Sequence, residues 1–373
     1  MKKITILALH LGYGGIEKCI STLANSLKDE YDINIISTYK LYDEPVFKLD
    51  KKIKINYLME YGPNKKEIKE CLKKHKYIKL LKEIFNAIKI LNNKKKLMIE
   101  AIKECDSDII ISTRDIHNLW LGKYGKSNQI KIGWEHNYHN NDEKYINKIL
   151  KSIENLDYFV LVTKTQQKFY QEKTKTKCIC IPNSLDEYPT KYSSLENKNI
   201  ISVGRLSYEK GYDELIDVFR LVNTKYPDWK LNIIGDGSEY EKIDKKIKQY
   251  NLEDNIKLHG YQKKEYIDEY LFNSSIYVLP SRSESFGIVL LEAFSYGLPC
   301  IAFDRADGAK ELISDNWDGY LIKESSKEQM AKRICELIGN INRRVIMGAN
   351  ALKKAEQYNT DKIKEEWIKI IEK

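Results

Sequence analysis

Short apolar runs alternate with stretches of helical periodicity along the first half of the chain. The apolar runs are ITILAL, INIIST, DIIIST, KIGWEH and FVLVT. A glycine turn and a helical period, IEKCISTLANSL, follow the first of them. Ile- and Val-rich runs separated by helices are typical of parallel sheets built from βαβ units. The pattern therefore predicts a Rossmann-like α/β domain.

The same alternation restarts after a polar stretch from Asn183 to Asn199. IISVGRL, LNIIGDG, IKLHGY, IYVLP and PCIAFD are predicted strands, with helices from about Gly211 and from about Gly287. The last segment, TDKIKEEWIKIIEK, has the period of an amphipathic helix with Thr360 as its N-cap. Its predicted buried face carries Ile363, Trp367 and Ile370 or Ile371. The pattern predicts a second doubly wound domain and a terminal helix that docks on one of the two.

Length and composition agree with two α/β domains. A chain of 373 residues exceeds what one hydrophobic core usually organises. The 31% charged content, and the lack of any apolar run near ~20 residues, argue against an integral membrane protein. The seven cysteines are scattered without a C-x2-C pair, as in cytoplasmic proteins with reduced thiols.

The positive charge is concentrated in residues 65–96, which hold twelve lysines and three glutamates. This excess equals the formal net charge of the whole chain, +9. A basic amphipathic helix suits an anionic membrane surface, which predicts a peripheral place on the inner face of the membrane. A solvated helix face is the alternative. Nucleic acid is not expected as a partner, because no recognised nucleic-acid motif accompanies the charge. The apolar positions of the helix are Ile68, Leu72, Ile78, Leu81, Phe85 and Ile88.

The segment YVLPSRSESFGIVLLEAFSYGLPCIAFD carries the most informative chemistry. Its strand ends at Pro280, a polar loop follows, and a helix is predicted from about Phe286. Ligands of open α/β sheets bind beyond the carboxyl ends of strands, and a helix amino end favours phosphate. Gly287 allows the ligand to approach the backbone closely. A phosphate-containing ligand is therefore predicted at this loop.

Two acids of this segment are predicted to contact different parts of one extended ligand. Glu284 and Glu292 would lie ~12 Å apart along a helix, beyond the separation of about 5 to 9.5 Å in glycosidase carboxylate pairs. Glu292 is placed to accept hydrogen bonds from ribose hydroxyls, and Glu284 to reach a transferred sugar. The alternative is that Glu284 only favours the helix amino end and that Glu292 is a surface residue.

SESFGIVLLEAFSYGLP resembles the signature of family-4 retaining glycosyltransferases, whose GT-B architecture has two Rossmann-like domains facing across a cleft. GRLSYEKGYDELI resembles the donor-phosphate motif of that family, GGIEK its first glycine loop, and IIGDGSEYE its second-domain glycine turn. The resemblance covers nearly the whole chain except about residues 39–103.

The resemblance implies an acceptor-binding domain at residues 1–185 and a nucleotide-sugar-binding domain at 186–357. The C-terminal helix, 358–373, is expected to cross back to the first domain. The implied reaction moves a hexose from a nucleotide sugar, with UDP favoured, to a saccharide or lipid-linked acceptor with retention of configuration. Bacterial surface polysaccharide biosynthesis is the implied setting.

Arg205 and Lys210 lie between a strand and a helix, where two cations can neutralise a departing diphosphate without a metal. Neither a metal nor another cofactor is therefore expected. The acidic triplet Asp106–Asp108 precedes its strand, at the edge opposite the ligand crevice. The expected catalytic residues are His136, Glu284, Arg205 and Lys210. The expected donor-binding residues are Gly14, Gly15, Arg205, Lys210, Gly235, Tyr261, Glu284, Ser285, Phe286, Gly287, Ile288 and Glu292.

Alternatives remain at this stage. His136 ends a strand on the cleft side and is the best functional candidate among the histidines, but it could also be a hydrogen-bonded structural residue, and His139 is close to it in the sequence. The chain could also be a sugar-nucleotide epimerase of similar fold, or a non-catalytic partner of a transferase that binds a sugar nucleotide. A nicotinamide cofactor is not supported, because GYGG departs from G-x-G-x-x-G.

Overall fold

A computed structural model describes residues 1–323 and 326–372. Its contacts divide the chain into two compact units. Lys373, the last residue of the predicted terminal helix, lies outside the described residues, as do Glu324 and Ser325 of the predicted second domain. Unit 1 contains Met1–Leu161, Gln167–Ile181 and the chain from Lys364 onward; unit 2 contains Val162–Gln166 and Pro182–Ile363.

Over its described residues, unit 1 contains a seven-stranded parallel sheet in the order β3-β2-β1-β4-β5-β6-β7. All five predicted runs of this half form strands. The edge strand β3 was not predicted. The strands are β1 Lys3–Ala8, β2 Asp32–Tyr39, β3 Lys54–Met59, β4 Ile109–Ser112, β5 Ile130–Glu135, β6 Tyr158–Leu161 and β7 Lys177–Cys180.

The helices of this half connect successive strands, except that β2 and β3 are joined by residues 40–53 without a helix. The basic stretch forms two helices rather than the single one predicted, because the chain turns at residues 74–76, where His75 has φ 52°. No helix among the described residues has the length and apolar character needed to cross a bilayer. The helices are α1 Gly15–Leu27, α2 Lys65–Lys73, α3 Tyr77–Glu104, α4 Asp115–Tyr124, α5 Glu143–Ile153 and α6 Lys164–Gln171.

Unit 2 has, among its described residues, a six-stranded parallel sheet in the order β10-β9-β8-β11-β12-β13. In each sheet the first three strands are added successively toward one edge, and the later strands are then added on the opposite side of the first strand. The order therefore reverses between β1 and β4 and again between β8 and β11, which are the points where such sheets bind ligands. The strands are β8 Asn199–Val203, β9 Lys230–Ile234, β10 Ile256–Leu258, β11 Ile276–Leu279, β12 Cys300–Phe303 and β13 Gly319–Ile322.

Helices cover both faces of the second sheet. Alternate residues of β11 point to opposite faces, so Val278 joins one buried cluster and Tyr277 the other. Burial on both faces explains why these strands are continuous apolar runs. The helices that follow β8 along the chain are α7 Tyr212–Lys225, α8 Tyr240–Gln249, α9 Lys264–Phe272, α10 Ile288–Ser295, α11 Asp307–Leu312, α12 Lys327–Gly339, α13 Ile341–Ala355 and α14 Thr360–Ile371, of which α14 lies mostly in unit 1.

The C-terminal helix α14 ends in unit 1, as predicted. Its Trp367 is buried, with its ring centroid 4.9 Å from that of Trp134. The prediction that Thr360 is the N-cap was wrong. Asn359 Oδ1 accepts from the backbone N–H of Lys362, whereas the Thr360 hydroxyl donates to the carbonyl of Leu185. The predicted apolar face is buried and includes Ile363 and both Ile370 and Ile371.

Candidate functional site

The loops after β8 and β11 meet at the point where the strand order of the second sheet reverses. Lys210 lies on the first loop and Glu284 on the second. Lys210 Nζ donates to Glu284 Oε2 at 2.5 Å, and the two side chains are 23% and 14% exposed. The structure therefore brings together two of the predicted catalytic side chains at the ligand-binding edge of this sheet.

Backbone contacts hold the two loops together independently of that ion pair. The backbone N–H groups of Arg282 and Ser283 lie 2.8 and 3.3 Å from the carbonyl oxygen of Glu209, to which they donate. Gly211 has φ 69°, and a Cβ atom on it would lie only 2.3 Å from the Pro280 carbonyl oxygen. Glycine is required at residue 211 both by this close approach and by the left-handed backbone.

Arg282 reinforces the same junction, although it was not among the predicted site residues. Its guanidinium donates two hydrogen bonds of 2.9 Å to the carboxylate of Asp213, and it lies 2.6 Å from Glu214. It also lies over the ring of Tyr208, 4.3 Å from the centroid. Arg305 contacts the same Glu214 at 2.7 Å. This network fixes the loop after β11 to the amino end of α7.

The helix α10 begins at Ile288, one or two residues after the predicted start at about Phe286 or Gly287, with Gly287 as its N-cap at φ 88°. The first N–H groups of the helix therefore follow directly after the loop that carries Glu284. Phe286 is buried, and the carbonyl of Glu284 accepts a hydrogen bond of 3.0 Å from the N–H of Gly308. The backbone carbonyl of Ser285 likewise accepts a hydrogen bond of 3.4 Å from the side-chain amide of Gln166. The loop is anchored on both sides of its acid.

Arg205 and Glu292 are not part of the Lys210–Glu284 ion pair. The Arg205 side chain is 68% exposed and is paired with Glu209. Glu292 is half-buried on α10, where its charge adds a small part to the raised pKa of Tyr277, which is mainly due to burial. The roles predicted for these two residues stay predictions.

Gly235 and Tyr261 lie near the ends of β9 and β10. A Cβ atom on Gly235 would lie 1.9 Å from the Gly204 carbonyl oxygen, so packing alone requires this glycine. Tyr261 follows Gly260 and is 57% exposed. Its neighbour His259 has a structural role, because its two ring nitrogens bond Asn232 and Tyr266, each at 2.9 Å.

Unit 1 holds a second polar cluster where its own strand order reverses, between β1 and β4. Arg114, two residues after the end of β4, donates from Nη2 to Glu17 Oε1 at 2.8 Å. Glu17 is buried, and its Oε1 is also 3.6 Å from His10 Nδ1. A Cβ atom on Gly14 would lie 2.0 Å from Glu17 Oε2, whereas one on Gly15 would meet nothing within 4 Å. Gly15 therefore borders open space.

Arg114 and Glu17 were not among the predicted site residues. Arg114 could have been identified by its position two residues after the end of β4, the strand that pairs with β1. The carboxyl ends of those two strands flank the expected ligand crevice.

His136 follows β5 and is 9% exposed, with its ring 4.2 Å from that of Trp134. Its buried Nε2 has no hydrogen-bond partner within the described part of the chain. Burial, with a smaller effect of the Arg114 charge, lowers the His136 pKa to about 3, so the imidazole is neutral at physiological pH. His139, in contrast, stacks on Phe169 at 4.1 Å.

The acidic triplet has a structural role. Asp106 lies 2.6 Å from Lys3 Nζ, and Asp108 accepts from the Lys3 backbone N–H at 2.7 Å. The acidic pair therefore ties the start of β4 to the start of β1.

Comparisons with known proteins agree with the fold and with the motifs. Residues 186–354 match the family model of the glycosyl transferases group 1. An uncharacterized glycosyltransferase of Haemophilus influenzae is 32% identical over 380 residues, which cover 100% of both chains. A Campylobacter jejuni enzyme is 26% identical over 381 residues, covering 100% of this chain and 98% of its own. It is named GalNAc-α-(1→4)-GalNAc-α-(1→3)-diNAcBac-PP-undecaprenol α-1,4-N-acetyl-D-galactosaminyltransferase.

Among solved structures, a TarM variant from S. aureus superposes with a TM-score of 0.81 at 20% identity, covering 100% of both chains. That structure contains fondaparinux, alpha-GlcNAc-glycerol and UDP. At this identity the likeness concerns the fold, and it is a GT-B fold. Together with the family model and the full-length relative, it shows that the chain belongs to the glycosyl transferases group 1 and is a glycosyltransferase of GT-B architecture.

Proposed function

We propose that this glycosyltransferase moves a hexose from a nucleotide sugar, with UDP as the favoured nucleotide, to a saccharide or lipid-linked acceptor. Two relatives support the proposal. The TarM variant was solved with UDP and alpha-GlcNAc-glycerol, and the Campylobacter enzyme is named for an undecaprenol-linked substrate. Bacterial polysaccharide or glycoconjugate biosynthesis is the proposed setting, with unit 2 binding the donor and unit 1 the acceptor.

The observation that carries the proposal is the Lys210–Glu284 pair, which lies on the two loops at the switch point of the second sheet. Lys210 and Arg205 supply positive charge for the departing diphosphate, and the free N–H groups at the start of α10 supply further donors. Glu284 is assigned to the hydroxyls of the transferred sugar. We propose that this charge suffices without a metal or other cofactor.

We further propose that transfer retains the anomeric configuration through attack on the face from which the diphosphate leaves. The acceptor oxygen forms a bond to the anomeric carbon while the bond from that carbon to the phosphate oxygen breaks. The acceptor proton passes to the departing phosphate oxygen, so the step needs no base from the protein. In unit 1, the neutral His136 is assigned to hydrogen bond a sugar hydroxyl through Nε2.

The test is a screen of the full-length chain with UDP-, GDP- and ADP-sugars, in which nucleotide release is measured with and without saccharide acceptors. We expect Lys210→Ala to lower kcat by about 10²- to 10³-fold, because such preorganised charges contribute that much to transfer reactions. Glu284→Gln should lower activity without abolishing UDP binding. Lys248→Ala is the matched control, because Lys248 forms an exposed pair with Asp244 on α8.

Several outcomes would contradict parts of the proposal. Acceptor-dependent turnover that survives unchanged in Lys210→Ala would remove its basis. An isomerised nucleotide sugar formed without acceptor would indicate an epimerase. A product of inverted configuration by NMR, or a glycosyl-enzyme isolated on a carboxylate, would refute front-face transfer. Loss of activity in EDTA that is restored by a divalent cation would refute the metal-free step.

A further inference from the structure

The helix α3 exposes a continuous row of large apolar side chains. Ile78, Leu81, Phe85, Ile88 and Leu91 are 89%, 69%, 71%, 52% and 61% exposed. At about 100° per residue they fall within an arc of about 140° on one side of the helix. We call these five residues the α3 face. A surface helix of a globular protein usually turns such a stripe toward the core, so this orientation requires an explanation.

The helix is anchored at its other end. Met98 and Ile102, near the C-terminus of α3, are fully buried in the core of unit 1. The preceding turns therefore hold the α3 face outward on a fixed support. On α2, Leu72 is exposed, whereas Ile68 is half-buried, so the predicted apolar set only partly reaches the surface.

Lysines border the α3 face along one edge. Lys82, Lys89 and Lys96 recur every seven residues, which places them in one row beside the apolar arc, and all three are exposed. Between residues 77 and 96 the sequence has one acid, Glu83, which accepts a hydrogen bond of 2.8 Å from the Asn64 side chain. The rim of the face is therefore strongly positive.

We propose that the α3 face and its lysine row bind an anionic lipid bilayer, with the apolar side chains inserted at the boundary between headgroups and acyl chains. Apolar burial and attraction between lysines and acidic headgroups are the two contributions to binding of such helices, and both are present here. Neither contribution depends on the donor, the acceptor or the configuration proposed above.

Other partners fit these observations less well. Nucleic acid would use the lysines but would leave five large apolar side chains in water. Pairing of two copies through this face would bring two lysine rows together, with only one acid between residues 77 and 96 of each copy to offset them, and like charges in contact are unfavourable. A bilayer containing acidic lipids satisfies both the apolar residues and the lysines.

The experiment is flotation of the full-length chain with vesicles of phosphatidylcholine alone and of phosphatidylcholine mixed with phosphatidylglycerol. We expect binding to the mixed vesicles that weakens as salt is raised, because exposed charges are screened. The triple variant Lys82→Gln, Lys89→Gln, Lys96→Gln should bind at least about tenfold more weakly. The double variant Leu81→Ser, Phe85→Ser should lose binding even at low salt.

Matched controls come from exposed positions of unit 2. Val345→Ser with Ile346→Ser removes apolar side chains that are 49% and 55% exposed. Lys245→Gln, Lys332→Gln and Lys353→Gln remove the same charge as the triple variant from exposed positions. Both control variants should float like the parent chain. Far-UV circular dichroism and thermal unfolding confirm that each variant is folded.

The proposal is overturned if the parent chain does not float with the mixed vesicles, or if the Lys245, Lys332 and Lys353 control loses binding equally. It is also overturned if Leu81→Ser, Phe85→Ser binds normally. A fall in the sedimentation-velocity mass of that double variant, from dimer to monomer, would assign the α3 face to self-association instead. Binding of duplex DNA that is unaffected by the double variant, without vesicle binding, would assign the lysines to nucleic acid.

Discussion

Gly211 packs so closely against Pro280 that a Cβ atom on the glycine would lie 2.3 Å from the proline carbonyl oxygen. Lys210 precedes this contact, and its partner Glu284 lies four residues beyond the other side. The separation of the two loops is thus set by a backbone contact that admits no side chain. The geometry of the ion pair depends on that contact as much as on the two charges.

Gly211→Ala should therefore damage the site as well as destabilise the fold. The new methyl group forces the loops apart and moves Lys210 relative to Glu284, and small displacements of catalytic groups are costly. We expect kcat to fall at least about tenfold while nucleotide binding persists. Steady-state kinetics with the donor identified by the screen, together with UDP binding by calorimetry, measure the two effects.

Gly260→Ala is the control for the backbone part of that effect. Gly260 has φ 66°, close to the 69° of Gly211, but a Cβ atom there would meet nothing within 4 Å. It should lower the free energy of unfolding by about 1 kcal/mol, the usual cost of a left-handed non-glycine residue. In urea unfolding, Gly211→Ala must lower the free energy of unfolding clearly more than Gly260→Ala does. Equal losses would show that the Pro280 contact relaxes without cost.

Much of the fold could be predicted from the sequence, because a strand that is buried on both faces has apolar residues at nearly every position and is visible as an unbroken apolar run. The strands β1 and β11, ITILAL and IYVLP in the sequence, are of this kind. The strand β3 was missed because it is an edge strand whose residues are mostly half-buried or exposed, so Lys54 and Asn56 interrupt its apolar positions. The break between α2 and α3 was missed because His75 takes a left-handed conformation without a glycine signal.

The candidate site was less accessible to sequence analysis where it depends on distant partners. Lys210 and Glu284 were found because each lies in a recognisable motif after a strand. Arg282 and Arg114 were not, because the carboxylates that bind them, on Asp213 and Glu17, are 69 and 97 positions away along the chain. Pairing over such distances follows from strand order, which periodicity alone does not reveal.

Arg282→Lys should impair the donor site although it keeps the positive charge. A lysine cannot form the two parallel hydrogen bonds that Arg282 donates to Asp213, and it stacks less well on Tyr208. We expect kcat to fall roughly tenfold through the displaced Glu284 loop, with a smaller change in KM. Steady-state kinetics over a range of donor concentrations separates the two constants.

Arg333→Lys provides the comparison for Arg282→Lys. Arg333 also pairs with a carboxylate, Glu336 at 2.7 Å, and also lies over a tyrosine ring, that of Tyr320. It belongs to the exposed surface of α12 rather than to either loop. Its activity should stay within error of the parent. A comparable loss in both variants would mean that Arg282 acts on general stability alone.

The Arg114–Glu17 pair should show strong energetic coupling. Arg114→Met leaves the Glu17 carboxylate, whose side chain is 4% exposed, without its main cationic partner. We expect a loss of about 3 kcal/mol in the free energy of unfolding. Adding Glu17→Gln removes the buried charge and should recover part of that loss. Urea unfolding of the two single variants and the double variant gives the coupling energy directly.

An exposed ion pair provides the reference value for this double-mutant cycle. Lys248 and Asp244 form an ion pair on α8 with side chains that are 62% and 39% exposed. Lys248→Met combined with Asp244→Asn should yield a coupling of about 0.5 kcal/mol or less, as for other surface pairs. If the Arg114–Glu17 coupling is no larger, solvent or His10 already compensates the buried carboxylate.

Glu135 should make the folded state less stable as pH rises from about 4.5 to 7. Burial raises the pKa of its carboxyl group from 4.5 to about 7, although the Asn137 backbone N–H donates to Oε1 at 2.7 Å. Between these values the folded state keeps a proton that the unfolded chain has released. The free energy of unfolding therefore decreases with pH in this window, by about 3 kcal/mol from this residue, and levels off above it.

Glu135→Gln replaces the titrating carboxyl group with a neutral amide. The free energy of unfolding of this variant should therefore fall less than that of the parent between pH 5 and 7.5. Urea unfolding at several pH values in that window measures the difference between the two slopes. Glu154→Gln, at an exposed position after α5, should keep the slope of the parent chain. Parallel curves for the parent and Glu135→Gln would mean that the Glu135 carboxyl ionises in the folded state as readily as in the unfolded chain. Its environment would then have to be more hydrated than its 5% exposure indicates.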